Sequence, residues 1–175
     1  MADEGNIISD LNLDSDQGPM PNGEDTSPAI GIISQYVKDL SVENPNAPAV
    51  YQWQDAPQVG VDFNIGAQAV GPDVHEIELK INVTSRGDAG VAFAVELAYC
   101  GLIGMRNVPE DQAHAFLFAE GPRILFPFAR RIIADAVRDA GFAPLMLEPI
   151  DFNGLYVQQL AQRQAEQGEA PAGQA

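Results

Sequence analysis

The residue types that most often carry out chemistry are scarce in this chain, which has two histidines and one cysteine in 175 residues. His114 follows Asp111 by three positions, close enough on a helix to suggest two metal ligands, but His75 is far away in sequence and a metal site needs three or four ligands. Cys100 and His114 lack a third group to orient them as nucleophile and base, so a buried, inert thiol is the favoured interpretation of Cys100.

The motifs that usually mark an active site are also missing from the sequence. It has no phosphate-binding glycine loop, no paired cysteines and no nucleophile elbow. We therefore predict no catalytic residue, no metal and no cofactor, and we expect the protein not to be an enzyme.

The overall charge limits the possible partners. A formal net charge of −16 disfavours binding to nucleic acid or to anionic membranes and favours a basic partner, although an acidic surface can also serve solubility alone. No apolar run approaches the roughly 18 residues of a membrane-spanning helix. The acidic N-terminus does not resemble a secretory signal, and a single cysteine fits a reducing compartment. We expect a cytoplasmic protein with no membrane insertion.

Four stretches alternate between apolar and polar residues, within residues 30–42, 59–65, 76–83 and 92–99. Strict alternation predicts a sheet with one buried and one solvated face, and short connections without helices predict antiparallel pairing. In the first stretch, the pattern places Tyr36 with Leu40 and Val42 on the apolar face and Gln35 with Asp39 on the polar face.

Helices are predicted after the strands. Residues 100–108 read as a loop, followed by a short helix from Pro109 to about Ala119. A longer amphipathic helix is expected at about 127–140, with Pro127 in its first turn, Gly141 at its end and 121–126 as an uncertain approach. Asp151 is predicted to cap a last helix. The fold class is therefore α+β.

This pattern gives one folded domain at residues 29–161. Residues 1–28 carry seven acids and no Lys or Arg, which predicts a disordered acidic N-terminal tail, and residues 162–175 are predicted to form a disordered C-terminal tail.

Two surfaces could bind other molecules. The polar sheet face gathers Asp39, Glu43, Glu76, Glu78 and Glu96, which is either an ordinary solvated face or a docking site for a basic partner. Large apolar side chains in the predicted loop and last helix either complete the core or line an apolar groove; they are Leu102, Ile103, Met105, Phe152, Leu155 and Tyr156.

Three sequence blocks resemble the SecB family of bacterial export chaperones: NPNAP at 44–48, ILFPFARRII at 124–133 and IDFNGLYVQQL at 150–160. The resemblance covers residues 30–160. It implies a molecular chaperone that binds unfolded precursor proteins in the cytosol, keeps them competent for translocation and delivers them to the SecA motor, which supplies the ATP hydrolysis.

The resemblance also implies roles for particular residues. Asp39, Glu43 and Glu96 match positions that bind the basic, zinc-bearing C-terminal segment of SecA, with Ala94 standing where the family pattern has a larger aliphatic residue. The six apolar residues above would form the client-binding groove. The core of a homotetramer, built as a dimer of dimers, would involve Phe93, Val95, Leu97, Tyr99, Phe128, Ile132 and Ile133.

Two other functions stay open at this point. The first is a binding module for a small lipophilic ligand, which would be a monomer or dimer with a closed cavity. The second is a SecB-like chaperone dedicated to a single client, such as an antitoxin.

Overall fold

The computed structural model of the chain describes residues 26–168. Four strands come first and the helices follow, which confirms the α+β prediction. The elements are β1 (Ala29–Glu43), β2 (Gln58–Gly71), β3 (Val74–Gly87), β4 (Gly90–Arg106), α1 (Glu110–Ala115), a π-helical turn (Phe116–Glu120), α2 (Gly121–Asp139) and α3 (Phe152–Gly168).

The strands form one antiparallel sheet in the order β1-β4-β3-β2. Tight turns join β2 to β3 and β3 to β4. The longer 44–57 connection joins β1 to β2, which lie at opposite edges of the sheet, and it contains a short 3-10 turn at Ala49–Gln52. β1 and β2 are therefore the edges of the sheet. Antiparallel pairing is what the short, helix-free connections predict.

Two irregularities in β1 change which of its residues share a face. The register with β4 shifts between Ile32 and Ser34 and again between Val37 and Asp39. Such bulges reverse the alternation that a regular strand would follow. The predicted faces of Tyr36 and Gln35 are therefore wrong: Tyr36 lies opposite Cys100 on the polar face, and Gln35 lies on the apolar face, where its side-chain oxygen accepts a hydrogen bond from the Tyr99 hydroxyl at 3.3 Å.

The predicted loop at 100–108 is also wrong, because β4 continues to Arg106. Gly101 and Gly104 interrupt the run of large residues and hide its alternation. The structure shows that Gly101 passes close beneath the helix: a Cβ there would lie 3.0 Å from the Leu125 side chain, which would have to shift slightly to admit it.

The helices that the sequence separates are continuous, from α1 through the π-helical turn into α2. The prediction that Pro127 lies in the first turn of this helix is wrong, because Pro127 lies inside α2. Pro122 is the proline in the first turn of α2. The predicted end is confirmed. Gly141 has φ of 92°, its N–H donates to the Arg138 carbonyl at 3.0 Å, and the Phe142 N–H donates to the Val137 carbonyl at 3.2 Å, the Schellman pattern.

Asp151 caps α3 as predicted, because its carboxylate accepts a hydrogen bond from the Gly154 N–H at 2.9 Å. α3 extends to Gly168, so residues 162–168, predicted as the start of the C-terminal tail, are helical. The rest of that tail and residues 1–25 of the predicted N-terminal tail lie outside the described residues. Within the described part, no helix is long and apolar enough to span a membrane.

The core lies between one face of the sheet, here called the helix-side face, and α2, which packs over the central strands β4 and β3. It contains Ile77, Leu79, Ile81, Val83, Val95, Leu97, Ile103, Leu125, Ala129, Ile133 and Val137, each at most 2% exposed. The edge strands are not covered in the same way. The apolar side chains on the helix side of β1 are all partly exposed; they are Ile30, Ile32, Val37, Leu40 and Val42, called here the β1 stripe.

Candidate functional site

The opposite side of the sheet, called here the outer face, carries the predicted partner-binding residues on neighbouring strands. In the register of β1 with β4, Glu43 lies opposite Ala94 and Ser41 opposite Glu96, with Asp39 two pairs further along, opposite Ala98. The carboxylates of Asp39, Glu43 and Glu96 are exposed, whereas Ala94 is half-buried. The structure thus brings the four predicted residues together at one end of this face.

The other end of the outer face holds a buried carboxylate that the sequence reasoning treats as an ordinary surface acid. Glu76 is only 8% exposed. Its carboxylate accepts hydrogen bonds from Lys38 Nζ at 2.7 Å, from Gln68 Nε2 at 3.0 Å and from the Tyr36 hydroxyl. The Lys38 ammonium, followed by the Tyr36 hydroxyl, lowers the pKa of Glu76 to about 2. The carboxylate in turn raises the pKa of Tyr36 to about 12.

The charges at this end are balanced within the chain. Lys38 also lies 3.3 Å from the Glu78 carboxylate, and Lys80 lies 3.2 Å from it. Lys38 occupies the second β1 bulge, which is why its side chain reaches two acids on β3. By contrast, Asp39, Glu43 and Glu96 form no ion pair with the described part of the chain. The outer face therefore has a neutralised end and an acidic end, and only the second presents uncompensated charge to a partner.

One group of potential metal ligands lies at the neutralised end. Ligand atoms of Glu76, Glu78 and Cys100 lie within 4.8 Å of one another. The Lys38 ammonium already contacts both carboxylates, and burial raises the pKa of the Cys100 thiol to about 11. Since a thiol binds metal as the thiolate, this arrangement favours internal ion pairing over metal binding.

A groove of about 390 Å³ lies between β2, the helical segment around the π-helical turn, and α3. Its lining combines large apolar and aromatic side chains with polar ones. It is lined by Phe63, Asn64, Ile65, His114, Phe118, Leu155, Tyr156, Gln159, Leu160 and Arg163.

An aromatic wall gives this groove its shape. The Nδ1 atom of His114 lies 2.8 Å from the Tyr156 hydroxyl, and the His114 ring lies 4.7 Å from that of Phe118 and 5.5 Å from that of Tyr156. The sequence analysis considers His114 only as a metal ligand or base, and it does not assign His114, Phe118 or the β2 residue Phe63 to a groove. The available signal was the alternation of β2, which places Phe63 and Ile65 on one face of a strand that turns out to be a sheet edge.

The six residues predicted to form a client groove do not form one surface. Leu155 and Tyr156 line the groove described above. Ile103, Met105 and Phe152 are 0%, 5% and 2% exposed and belong to the core, whereas Leu102 lies on the outer face. Because Leu102 and Ile103 are consecutive in β4, their side chains point to opposite sides of the sheet.

The residues predicted for the tetramer core fall into two groups. Four sheet residues, Phe93, Val95, Leu97 and Tyr99, and Ile133 of α2 are buried within this single chain. Phe128 is 45% exposed and stacks against Tyr99 with ring centroids 6.5 Å apart, and Ile132 is half-buried. Phe128 and Ile132 thus join the β1 stripe among the apolar side chains that stay at least partly exposed in a single chain.

Comparison with known proteins identifies relatives over the whole chain. The family described as preprotein translocase subunit SecB matches residues 23–163. Protein-export protein SecB of Novosphingobium aromaticivorans is 78% identical over 175 residues, covering all of both chains. Protein-export protein SecB of Sphingopyxis alaskensis is 63% identical over 177 aligned positions, again covering all of both chains.

A solved structure shows the same fold at low sequence identity. It is a Mycobacterium tuberculosis SecB-like chaperone in complex with a peptide from an antitoxin. The two chains superpose with a TM-score of 0.57 at 15% identity, covering 69% of this chain and 90% of the other.

Proposed function

Because this chain belongs to the SecB family of protein-export chaperones, we propose that it holds unfolded precursor proteins in its groove and passes them to SecA from the acidic end of its outer face. The family is one of chaperones and not of enzymes, which agrees with the sequence prediction. The observation that carries the client site is the aromatic-walled groove beside the β2 edge.

The groove suits unfolded chains for two physical reasons. Its lining offers large apolar and aromatic contacts beside polar side chains, among them Asn64 and Gln159, that can bond to any peptide backbone. The neighbouring β2 is a sheet edge, and an edge strand can offer backbone hydrogen bonds to an extended peptide. A chaperone that binds the unfolded client lowers that client's apparent folding stability by mass action.

The client site is tested by placing a charge in the groove. Leu155→Asp puts a carboxylate among the apolar side chains, and we expect affinity for a reduced, carboxymethylated polypeptide to fall by about tenfold or more, since one desolvated charge offsets at least 1.4 kcal/mol of binding. Val157→Asp is the matched control, because Val157 lies on the same helix, is 58% exposed and does not line the groove. Equal binding by both variants, measured by fluorescence anisotropy, would remove the groove from client binding.

The acidic end is proposed as the SecA site because its three carboxylates are exposed and uncompensated. The zinc of that partner segment belongs to SecA. Asp39→Asn with Glu96→Gln should weaken a basic SecA-derived peptide about tenfold at low salt, since exposed ion pairs contribute up to about 1 kcal/mol each. Asp55→Asn with Asp88→Asn changes the net charge equally at another part of the surface and should have little effect. Similar losses for both pairs would indicate general charge attraction and no docking site.

A homotetramer in the cytoplasm completes the proposal. The helices of a single chain leave the β1 stripe, Phe128 and Ile132 at least partly exposed, and such an apolar surface usually marks an interaction site. Symmetric packing of identical copies is the common way to bury it.

Service to one dedicated client is the second candidate. The fold neighbour described above carries an antitoxin peptide, and a chaperone of that kind would discriminate among clients. Comparable affinity for several unrelated unfolded proteins would support the general role, whereas measurable affinity for only one of them would support the dedicated role. Family membership leaves a small lipophilic ligand as the least supported of the initial hypotheses.

A further inference from the structure

We propose that the N-terminal segment of residues 7–14, IISDLNLD, is an internal competitor for the client groove. The proposal rests on the client site proposed above and adds a mode of regulation to it. Four observations carry it: the chemistry of the groove, the pattern of the segment, the charge of both, and the length of chain that connects them.

The groove combines large apolar side chains with polar ones and one positive charge. Arg163 is the only Asp, Glu, Lys or Arg among its lining residues, and it forms no ion pair with the described part of the chain. An occupant that is apolar at alternate positions and acidic at its margins therefore matches the groove better than a purely apolar one.

The segment has this character. Leu11 and Leu13 alternate with Asp10, Asn12 and Asp14, the spacing that places apolar side chains on one side of an extended peptide, and Ile7 falls on the side of the leucines while Ile8 falls on the other. Residues 1–25 contain seven acids and no Lys or Arg. In a chain of net charge −16, most of the surface repels such a segment, and Arg163 is a local exception beside an apolar groove.

The connecting chain is long enough. Leu13 lies thirteen residue-to-residue steps before Thr26, and an extended chain of that length spans about 43 Å. By the sheet register, Ile65 in the groove lies three strands across and roughly seven residues along from Ala29, a distance of roughly 27 Å. The segment therefore reaches the groove of its own chain. The β1 stripe is the apolar surface assigned above to contacts between copies.

A tethered competitor lowers the affinity for every client by the same factor. A tether of this length holds the segment at an effective concentration of about 1 mM, so a segment that binds with a dissociation constant of about 0.25 mM weakens client binding about fivefold. Clients with strong apolar segments displace it, and weakly apolar folded proteins do not. The segment would thus raise the threshold for binding.

The test uses the full chain. Leu11→Asp with Leu13→Asp should bind reduced, carboxymethylated lactalbumin about fivefold more tightly than the unaltered chain. Gln17→Asp with Met20→Asp adds the same two charges to the connecting residues and should leave the affinity unchanged. Equal affinity for all three chains would overturn the proposal while leaving client binding intact.

A second measurement does not depend on client binding. A labelled peptide of residues 5–16 is added to the Leu11→Asp, Leu13→Asp chain, whose groove is predicted to be free. We expect saturable binding that weakens with added salt and with Arg163→Glu, and that is lost with Leu155→Asp but kept with Val157→Asp. Absence of peptide binding would overturn the proposal. If no chain binds lactalbumin but the peptide binds the groove, the client proposal fails and the intramolecular site stands.

Discussion

At the scale of single residues, Glu76 shows how a correct face assignment can conceal the role of a side chain. Alternation along β3 places Glu76 on the polar face, and it lies there. Only the structure shows that the carboxylate is buried and accepts hydrogen bonds from three side chains. Two of these, Tyr36 and the bulge residue Lys38, are on β1, and Gln68 is on β2. The partners come from 8 to 40 positions away in sequence, and no local pattern reports such distances.

The Glu76 network predicts a pH dependence of stability. The pKa of Glu76 is about 2 in the folded protein, below its ordinary value of 4.5, so folding favours the ionised carboxylate. The stabilisation is complete above about pH 4.5 and is lost as the pH falls towards 2. Removing one such proton-linked group changes the slope of unfolding free energy against pH by up to about 1.4 kcal/mol per pH unit.

Glu76→Gln should therefore lower stability at pH 7 and give a flatter dependence between pH 4.5 and 3, measured by urea unfolding at several pH values. Glu96→Gln is the control, because Glu96 is exposed and has no ion pair with the described residues. An unchanged slope in Glu76→Gln would show that the network does not couple folding to proton binding.

At the scale of elements, the sequence predicts those features that depend on the local spacing of apolar residues. The strands and the apolar face of α2 follow from alternation and from spacings of three and four, and Leu125, Ala129, Ile133 and Val137 are all buried as that spacing predicts. The position of Pro127 does not follow. A proline inside a helix costs about 3 kcal/mol, and burial of each large apolar side chain contributes roughly 1.5–3 kcal/mol, so packing on the sheet outweighs the local rule.

Gly121, at the junction between the π-helical turn and α2, is predicted not to tolerate a larger side chain. A Cβ on Gly121 would overlap the Ile77 Cδ1 atom and lie 3.1 Å from the Phe116 carbonyl oxygen. We expect Gly121→Ala to lower the free energy of unfolding by about 1–3 kcal/mol, because overpacking at a buried helix–sheet contact forces one element to move. Gly66→Ala is a matched control, since nothing lies within 4 Å of that Cβ.

A double-mutant cycle identifies the cause. Ile77→Val removes the atom that the new methyl group would meet, so Gly121→Ala should cost less in the Ile77→Val background than in the native one. The measurement is chemical unfolding of the four proteins. Strict additivity of the two changes would show that Ile77 is not the source of the loss.

At the scale of the whole molecule, the two edge strands decide what the fold leaves exposed. Net charge and composition predict a single acidic domain, and family resemblance implies an assembly. Which apolar residues complete the monomer and which remain outside depends on the position of α2 over the two central strands, a tertiary fact that periodicity does not contain. This is why Val95 and Leu97, predicted for the tetramer core, fill the core of one chain.

The β1 stripe gives a prediction for assembly. Leu40→Asp places a carboxylate on a surface that the proposal buries between copies, so we expect the solution mass, measured by light scattering at micromolar concentration, to fall from four chains to two or one. Val157→Asp, a comparable exposed position on α3, should leave the mass unchanged. A tetramer that survives Leu40→Asp would mean that copies meet through a different surface.

The burial of Cys100 also determines how this protein can be followed in solution. It is the chain's single cysteine, it is fully buried, and its pKa of about 11 keeps it in the thiol form at neutral pH. Alkylating reagents attack thiolates, so Cys100 in the folded protein should react very slowly with maleimides. A cysteine introduced at Asn12 would then carry a dye without removal of the native one, and slow labelling of Cys100 itself would report the rate at which the sheet opens.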